Sequence, residues 1–402
     1  MEIRKRRFRR EGRYLSMIYA ALIGIIIASP FLEAYLPSTL VRLIELFFCA
    51  VVGWYIFRLF KMHALVGYKG WSKFLIIILS VCLVQIVCRS EWGGRGIKEI
   101  FLLFLDKTNN LPYLLPFCVL FLPNERHLRR IADIFFWATM LTVPLWVLNM
   151  FNLVQDGHTG ENIGTWLPLL GCFLLAYPRK LSIKKQIALW VVWGIYLLLM
   201  ILNARRGMCF TLVFYAFIRI YYRVGKIFHS PVGRIAVIGF LLVFAALFLP
   251  HSIGSYSNGI FKRISERVGE DTRSSVEILF WADYISSPPI ELALGRGGTG
   301  TYSQEMVNKD TGDVIEERNV VETGYLMMLL KGGFTFCAII IMLMLTGLFK
   351  SLFRKDAAAV PLRLIFLLFL ICNYASSFIC LYYPHSIVFW LCISLTLREN
   401  KI

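Results

Sequence analysis

The sequence lacks the short motifs that mark several common kinds of enzyme. It has no Walker phosphate-binding motif, no HExxH metalloprotease motif and no nucleophile elbow. Its six histidines are scattered along the chain and form no paired metal-binding motif. ATP hydrolysis, metalloprotease chemistry and serine hydrolysis are therefore not expected.

Charged residues are scarce, and no polar linker or sequence repeat divides the chain. Only 17% of the 402 residues are charged, whereas 58% are apolar, and the mean hydropathy is +0.65. A soluble protein of this length could not bury so much apolar surface. The apolar residues form blocks of about 15 to 24 residues, which is typical of membrane-spanning helices. We expect one all-α polytopic membrane domain covering residues 1–402.

The ten cysteines form no CxxC pair, and all of them lie in or beside apolar blocks. This placement predicts buried, unreactive thiols rather than a disulfide framework or a zinc site. The net charge of +18 does not indicate nucleic acid, because Lys and Arg cluster in short connections where membrane topology explains them. We expect no metal, no cofactor and no nucleic-acid partner.

Twelve apolar blocks are predicted as membrane spans, and several are shorter than the roughly 20 residues of a straight span. Tilted or broken helices are therefore expected. The first block follows a basic N-terminus but no cleavage site, so it is predicted as a retained span. The predicted spans are 14–35, 40–60, 74–88, 111–122, 131–154, 163–177, 187–202, 208–222, 235–250, 324–349, 361–376 and 384–397.

Basic connections alternate with neutral or mixed ones along the chain. The basic set includes the N-terminal RKRRFRR, the connection PRKLSIKK and the C-terminal LRENKI. By the positive-inside rule, both termini are cytoplasmic. The turn NARRG at 203–207 then falls on the outer side, where topology does not require Arg205 and Arg206.

The longest connection, 251–323, lies between the ninth and tenth spans and is predicted as a large periplasmic loop. It holds 12 of the 25 acidic residues. Its pattern predicts short helices in the stretches 257–271 and 272–289, and Ser286-Ser287-Pro288-Pro289 ends the second helix. A further amphipathic stretch, 96–107, is predicted either to lie along the outer interface or to be a plain connector. One face of the second loop helix is predicted to carry Val276, Leu279, Phe280 and Tyr284.

Several charged residues of this loop have a structural and a functional interpretation. The segment GRGGTG at 295–300 is either a structural turn or a contact for an anion through Arg296 and the backbone N–H groups. Glu322 is either a helix cap or a catalytic or cation-pairing carboxylate. Arg273 either forms a surface ion pair or binds a ligand. Among charges inside spans, Glu45 is the deepest, and Arg42 at i−3 can pair with it.

The outer arginines suit a phosphorylated substrate, because guanidinium groups bind phosphate and pyrophosphate in a bidentate way. A membrane enzyme with a lipid-pyrophosphate donor needs such a clamp at its outer face. The clamp would also stabilise charge on the leaving group, and a carboxylate could deprotonate an attacking sugar hydroxyl.

Three segments together resemble the O-antigen polymerase and O-antigen ligase superfamily of bacterial polysaccharide assembly. NARRG resembles its Ser-Arg-Gly turn between two spans. The stretch 272–304 resembles its loop pattern of Arg, Trp, Pro and Gly-x-Gly. ETGYLMMLLKGGFTF, from Glu322, resembles its His-Asn-x-Tyr-Leu segment, with Tyr325 and Leu326 matching.

The resemblance implies a glycosyltransferase C-like helical fold in the bacterial inner membrane and an undecaprenyl-pyrophosphate-linked donor. Arg205 or Arg206 would bind the donor pyrophosphate together with Arg273, and Arg205 is our choice within its pair. Arg296 and Tyr325 are further predicted substrate-binding residues. The implied partners are the lipid-linked donor and acceptor, the bilayer and a possible chain-length regulator.

One departure from the family pattern favours a polymerase. Glu322 stands where ligases carry a histidine that is central to their chemistry. Glu322 would then act as the base or would position the acceptor. The expected function is polymerisation of lipid-linked repeat units into O-antigen or capsular-type polysaccharide. The alternatives are an O-antigen ligase or protein O-glycan transferase with the same donor, and a non-enzymatic transporter of lipid-linked glycan.

Overall fold

The structure is a computed structural model, and fourteen stretches of the chain are described by it. For Arg206 and Arg273, among others, the backbone is described and the side chain is not. The described residues are 2–32, 36–91, 93, 99–100, 115–150, 167–177, 181–202, 206–224, 272–307, 314–321, 323–354, 356, 358–372 and 385–398.

The described chain is mostly helical, and one short 3₁₀ helix, Leu115–Phe121, interrupts the series of α-helices. A single pair of strands, β1 and β2, follows α9 within this part of the chain. The elements are α1 Glu2–Leu32, α2 Ser38–Lys61, α3 Gly70–Cys88, α4 Asn124–Met150, α5 Pro168–Ala176, α6 Ile183–Leu202, α7 Arg206–Val224, α8 Thr272–Ile285, α9 Pro289–Leu294, β1 Tyr302–Val307, β2 Val314–Arg318, α10 Gly324–Phe353, α11 Ala359–Cys372 and α12 His385–Leu397.

Within the described residues, four helices are long and apolar enough to cross a membrane. They are Thr39–Lys61, Gly70–Cys88, Ile183–Ile201 and Gly324–Phe353. Three shorter apolar helices accompany them, within α7, α11 and α12. The length and apolar composition of these helices agree with the sequence-based prediction of a membrane-embedded helical protein.

The number of twelve spans stays a prediction. The described part of the predicted span 111–122 holds the seven-residue 3₁₀ helix, and the described part of 163–177 holds the nine residues of α5. At about 1.5 Å per residue, nine helical residues cover only about 14 Å of a hydrocarbon core roughly 30 Å thick. The predicted span 235–250 lies outside the described residues.

The large loop contains a β-hairpin that the sequence prediction of short helices missed. β1 and β2 pair antiparallel, with Tyr302 opposite Arg318 and Val307 opposite Val314. The register shifts between Ser303 and Met306, which marks a bulge or irregularity. Polar residues make up half of β1 and three of the five residues of β2, and they do not alternate with apolar ones, so the pattern of a half-buried strand is weak here.

The second predicted loop helix is confirmed as α8, and most of its predicted apolar face is buried. Val276, Phe280 and Tyr284 recur every four residues and are at most 7% exposed. Leu279 was predicted on the same face but is 38% exposed, because it lies to one side of this i, i+4 row. The predicted helix 257–271 lies outside the described residues, as does the predicted interfacial stretch 96–107 apart from residues 99–100.

The ion pair predicted inside α2 is confirmed. The guanidinium of Arg42 lies 2.7 Å from the carboxylate of Glu45, and both side chains are buried. Pairing is needed here, because a single buried charge in apolar surroundings is costly.

Two short helices form the centre of the bundle. Every residue of α5 and of α12 is buried. Helices that are buried on all sides fit an interior position among longer helices.

The nine cysteines that the structure describes are all free, and most of them are buried, as predicted.

Cationic side chains close one end of the bundle, which we call the basic end. Arg7 of α1 donates to the carbonyl of Met62, just after α2. Lys350, near the end of α10, donates to Ser72 Oγ at the start of α3 (2.8 Å) and to the Leu397 carbonyl at the end of α12 (3.3 Å). The last carbonyls of a helix have no partner within it and carry partial negative charge, so cations stabilise them.

The middle helices meet the same end. Lys185, at the start of α6, lies 2.6 Å from Asp133 of α4. Arg219, near the end of α7, donates to the side-chain oxygen of Gln186 at 3.1 Å. The start of α4 is held there too, because Asn124 donates to Ser394 Oγ of α12 at 3.1 Å. The helices therefore alternate in direction, and the ends of α3 and α11 and the starts of α7 and α10 lie at the opposite end, which we call the far end.

Candidate functional site

Three helix ends lie side by side at the far end. Tyr325, in the first turn of α10, donates its hydroxyl to the carbonyl of Leu370 near the end of α11, at 2.7 Å. Two residues further on, Cys372 Sγ lies 3.5 Å from Thr211 Oγ1 in the second turn of α7. α7 begins at Arg206, so the start of α7 also lies at the far end.

The first half of α8 is tied to the start of α10. Thr323, the residue before α10, donates its hydroxyl to Glu277 Oε1 at 2.5 Å. Arg273 precedes Glu277 by one helical turn on the same face. Glu322 is the neighbour of Thr323 in sequence. This hydrogen bond therefore brings the helix that carries Arg273 next to the segment that carries Glu322.

The remaining predicted site residues are described only in part. Arg205 and Glu322 lie outside the described residues. Arg206 begins α7 and Arg273 lies in the first turn of α8, with neither side chain described. The roles predicted for these four residues stay predictions.

The Gly-rich segment 295–300 docks onto a kink in α10. Gly333 has non-helical backbone angles (φ 68°, ψ −172°), so the helix is interrupted there. The kink leaves carbonyls without their usual helical partners. Two of them, of Leu330 and Lys331, accept hydrogen bonds from the backbone N–H groups of Arg296 (2.8 Å) and Gly297 (3.1 Å).

Glycine is required on both sides of this contact. Gly295 and Gly333 have φ of 74° and 68°, and residues with a Cβ atom rarely adopt such positive values. A Cβ atom on Gly295 would lie 2.5 Å from the backbone nitrogens of Gly332 and Gly333. Backbone atoms cannot move aside as a flexible side chain can, so the two segments touch only because both are glycine.

The same segment also contacts the end of α3. The N–H of Gly298 donates to the Ile86 carbonyl (2.9 Å) and to Ser90 Oγ (3.0 Å). Arg89 in turn donates through Nε to the Gly295 carbonyl at 2.8 Å. The N–H groups of residues 296, 297 and 298 all donate to protein acceptors. These contacts favour the structural interpretation of the Gly-rich segment over an anion site built from its backbone.

The guanidinium of Arg296 is also held by protein groups. Nε lies 3.2 Å from Glu291, and Nη1 lies 2.5 Å from Asp283 and 2.7 Å from the Thr301 carbonyl. Nη2 donates to Ser287 Oγ (2.6 Å) and to the Asp283 carbonyl (3.4 Å). A guanidinium has five N–H donors, so this set engages all of them. The contacts favour a structural role for Arg296 over the predicted substrate contact.

Tyr284 joins α8 and α9 to α10. Its hydroxyl lies 3.0 Å from the Leu292 carbonyl and 3.1 Å from the Leu329 carbonyl. Burial raises the pKa of Tyr284 to about 12, so the hydroxyl stays protonated and can donate at neutral pH. α8, α9, the Gly-rich segment and the first part of α10 thus form one hydrogen-bonded unit at the far end.

Compared with models of protein families, with curated proteins and with solved structures, the chain matches none of them. The resemblance described above therefore depends on its three sequence segments. Among the described residues, no three His, Cys, Asp or Glu side chains cluster closely enough to hold a metal ion. The expectation of a reaction without metal stays a prediction.

Sequence reasoning missed Lys331, Asp283 and Glu291 as parts of this region, and it considered Glu277 only as a neighbour of Arg273. Lys331 followed by two glycines inside an apolar span was the available signal, since charge and glycine are both unusual there. Asp283 and Glu291 gave no such signal, because they lie eight residues apart in the sequence and on separate helices.

Proposed function

We propose that this protein is a polysaccharide polymerase of the bacterial inner membrane. It joins oligosaccharide repeat units carried on undecaprenyl pyrophosphate into O-antigen or capsular-type polysaccharide. In this proposal both termini are cytoplasmic, the basic end of the bundle faces the cytoplasm and the far end faces the periplasm.

The observation that supports the proposal most is the hydrogen bond between Thr323 and Glu277. It joins the helix that carries Arg273 to the segment that carries Glu322. The start of α7, directly after Arg205, lies at the same end of the bundle. Cations for a pyrophosphate and a carboxylate for a hydroxyl proton are therefore carried by neighbouring elements, as glycosyl transfer from a lipid pyrophosphate requires.

The reaction balances with these groups alone. Arg273, with Arg205 or Arg206, binds the pyrophosphate of the donor. Glu322 accepts the proton of the acceptor hydroxyl, whose oxygen forms a bond to the anomeric carbon of the donor sugar. The bond from that carbon to the pyrophosphate oxygen breaks, and undecaprenyl pyrophosphate leaves with its negative charge held by the arginines.

Arg296 and Tyr325 take different parts in this proposal. The protein contacts of Arg296 suit a residue that shapes the loop, and it is assigned no contact with the donor. The hydroxyl of Tyr325 already donates to the Leu370 carbonyl. The predicted substrate contact of Tyr325 is therefore assigned to its aromatic ring, which is partly buried. Sugar rings stack on aromatic side chains through their apolar faces.

The proposal is tested with purified protein in proteoliposomes and a radiolabelled lipid-linked repeat unit. A polymerase gives a ladder of products that differ by one repeat unit. Transfer of a single unit to another added acceptor would identify a ligase or glycan transferase instead. Uptake of the lipid-linked unit with no new glycosidic bond would overturn both enzymatic functions and favour a transporter.

A further inference from the structure

Lys331 is a fully buried lysine within the membrane-spanning helix α10. None of its surface is exposed. Its Nζ donates to the carbonyls of Gly298 (2.9 Å) and Gly300 (3.0 Å). A charged side chain in an apolar membrane helix is costly to bury. A methionine would fill the same space without that cost, so the ammonium calls for a specific role.

The carbonyls that Lys331 holds belong to the Gly-rich segment 295–300. On one side, the backbone of this segment donates hydrogen bonds to the carbonyls of Leu330 and Lys331 at the kink. On the other side, its residue Arg296 forms ion pairs with Asp283 of α8 and Glu291 of α9. A continuous series of polar contacts therefore runs from the ammonium group to α8.

We infer that Lys331 is a positioning residue that fixes α8 relative to the start of α10. By holding segment 295–300 in the kink, it fixes α8, the helix on which Arg273 lies, against the first turns of α10. The effect of Lys331 on catalysis rests on the proposed function, whereas its effect on the position of α8 does not.

Position matters here because the donor arginine and the carboxylate belong to separate segments of the chain. In the described part of the chain, the contacts of segment 295–300 hold α8 against α10 together with the Thr323–Glu277 and Tyr284–Leu329 hydrogen bonds. A displacement of about 1 Å between reacting groups can cost about 100-fold in rate. Loosening the Lys331 contact should therefore slow the chemical step more than it weakens substrate binding.

Lys350 provides a matched control on the same helix. Like the ammonium of Lys331, its ammonium donates to two oxygens, here the Leu397 carbonyl and the Ser72 hydroxyl. It does so at the basic end, away from α8. The substitutions Lys331→Met and Lys350→Met remove the same group from the same helix, and only the first touches the Gly-rich segment.

The position of α8 is measured by pulsed electron paramagnetic resonance between two spin labels. The labels replace Ile278 on α8 and Leu345 on α10, which are 66% and 37% exposed, in protein whose native cysteines have been replaced. Lys331→Met should shift or broaden the distance distribution relative to the parent protein. Lys350→Met should leave it unchanged. Identical distributions for both variants and the parent would overturn the inference.

The kinetic measurement uses the elongation assay with the same two variants. Lys331→Met should lower kcat by about tenfold or more with KM for the donor nearly unchanged. A kcat equal to that of Lys350→Met would overturn the catalytic part. The spin-label result stands without any activity, so it separates failure of this inference from failure of the proposed function.

Folding is checked by size-exclusion chromatography, with Lys331→Gln as a second variant that keeps an N–H donor. If Lys331→Met is unfolded, the measurements are made on Lys331→Gln, which should show a smaller change in the same direction. Loss of the folded peak in both variants would show that Lys331 is needed for folding, and would overturn the positioning role.

Discussion

The contact between Gly333 and the Gly-rich segment predicts that adding a single methyl group at Gly333 destabilises the protein. Gly333 has φ of 68° and ψ of −172°, a region of backbone space that is essentially restricted to glycine. Its new Cβ would also lie 2.5 Å from the carbonyl carbon of Ala293 and from the nitrogen of Gly295. In Gly333→Ala, either the kink must straighten or segment 295–300 must move away.

The expected loss follows from these two effects. A non-glycine residue in such a region costs about 1–3 kcal/mol. Forcing a methyl group into a closely packed contact costs a further 1–3 kcal/mol or so. The sum is about 2–6 kcal/mol in the free energy of unfolding, which is a large part of the stability of a typical domain.

Gly194→Ala is the control for this prediction. Gly194 lies within α6, and a Cβ atom there would have no atom within 4 Å. Alanine is favoured over glycine in a helix by about 0.5–1 kcal/mol, so this variant should be as stable as the parent or more stable. Both variants are unfolded by SDS in mixed micelles and followed by circular dichroism. Equal stability of Gly333→Ala and Gly194→Ala would refute the close packing at the kink.

Further substitutions test the other contacts. Arg296→Met leaves two carboxylates without their cation and should destabilise the protein by about 1–3 kcal/mol in the same unfolding assay; an unchanged midpoint would contradict its structural role. Arg42→Met removes the cation that lies 2.7 Å from the buried carboxylate of Glu45 and should cost about 3–5 kcal/mol, and adding Glu45→Leu should restore most of the loss; no recovery in the double variant would contradict the pairing. In the elongation assay, Arg273→Ala should abolish most chain growth while the protein stays folded, because the donor pyrophosphate loses a cation. Glu322→Gln should do the same if the carboxylate is the base; normal growth of the Gln variant would show that hydrogen bonding or capping suffices.

The sequence predicted well those features that depend on local pattern. The helix 272–285 was predicted from apolar residues at helical spacing and from the prolines that follow it, and the i, i+3 pair of Arg42 and Glu45 was predicted from spacing alone. Both depend on interactions within one helix. The alternation of basic connections agrees with the structure's basic end, where Lys350 and Arg7 bind helix carbonyls.

Features made by contacts between distant segments could not be predicted in this way. The Gly-rich segment was left with two interpretations, because its sequence does not say that its N–H groups meet the carbonyls of Leu330, Lys331 and Ile86. Lys331 lies more than thirty residues from the carbonyls it holds. The β-hairpin was missed because polar and apolar residues do not alternate along its strands, and that alternation is what identifies a half-buried strand.

In the proposed reaction, a lipid pyrophosphate is the leaving group of a glycosyl transfer at the far end. Phosphorus NMR of proteoliposomes supplied with a lipid-linked repeat unit measures this release, with the new glycosidic bonds counted in parallel. We expect one molecule of free polyprenyl pyrophosphate for each bond formed, and almost none with Arg273→Ala. Chain growth without release of polyprenyl pyrophosphate, or disappearance of the substrate with no bond formed, would rule out this reaction.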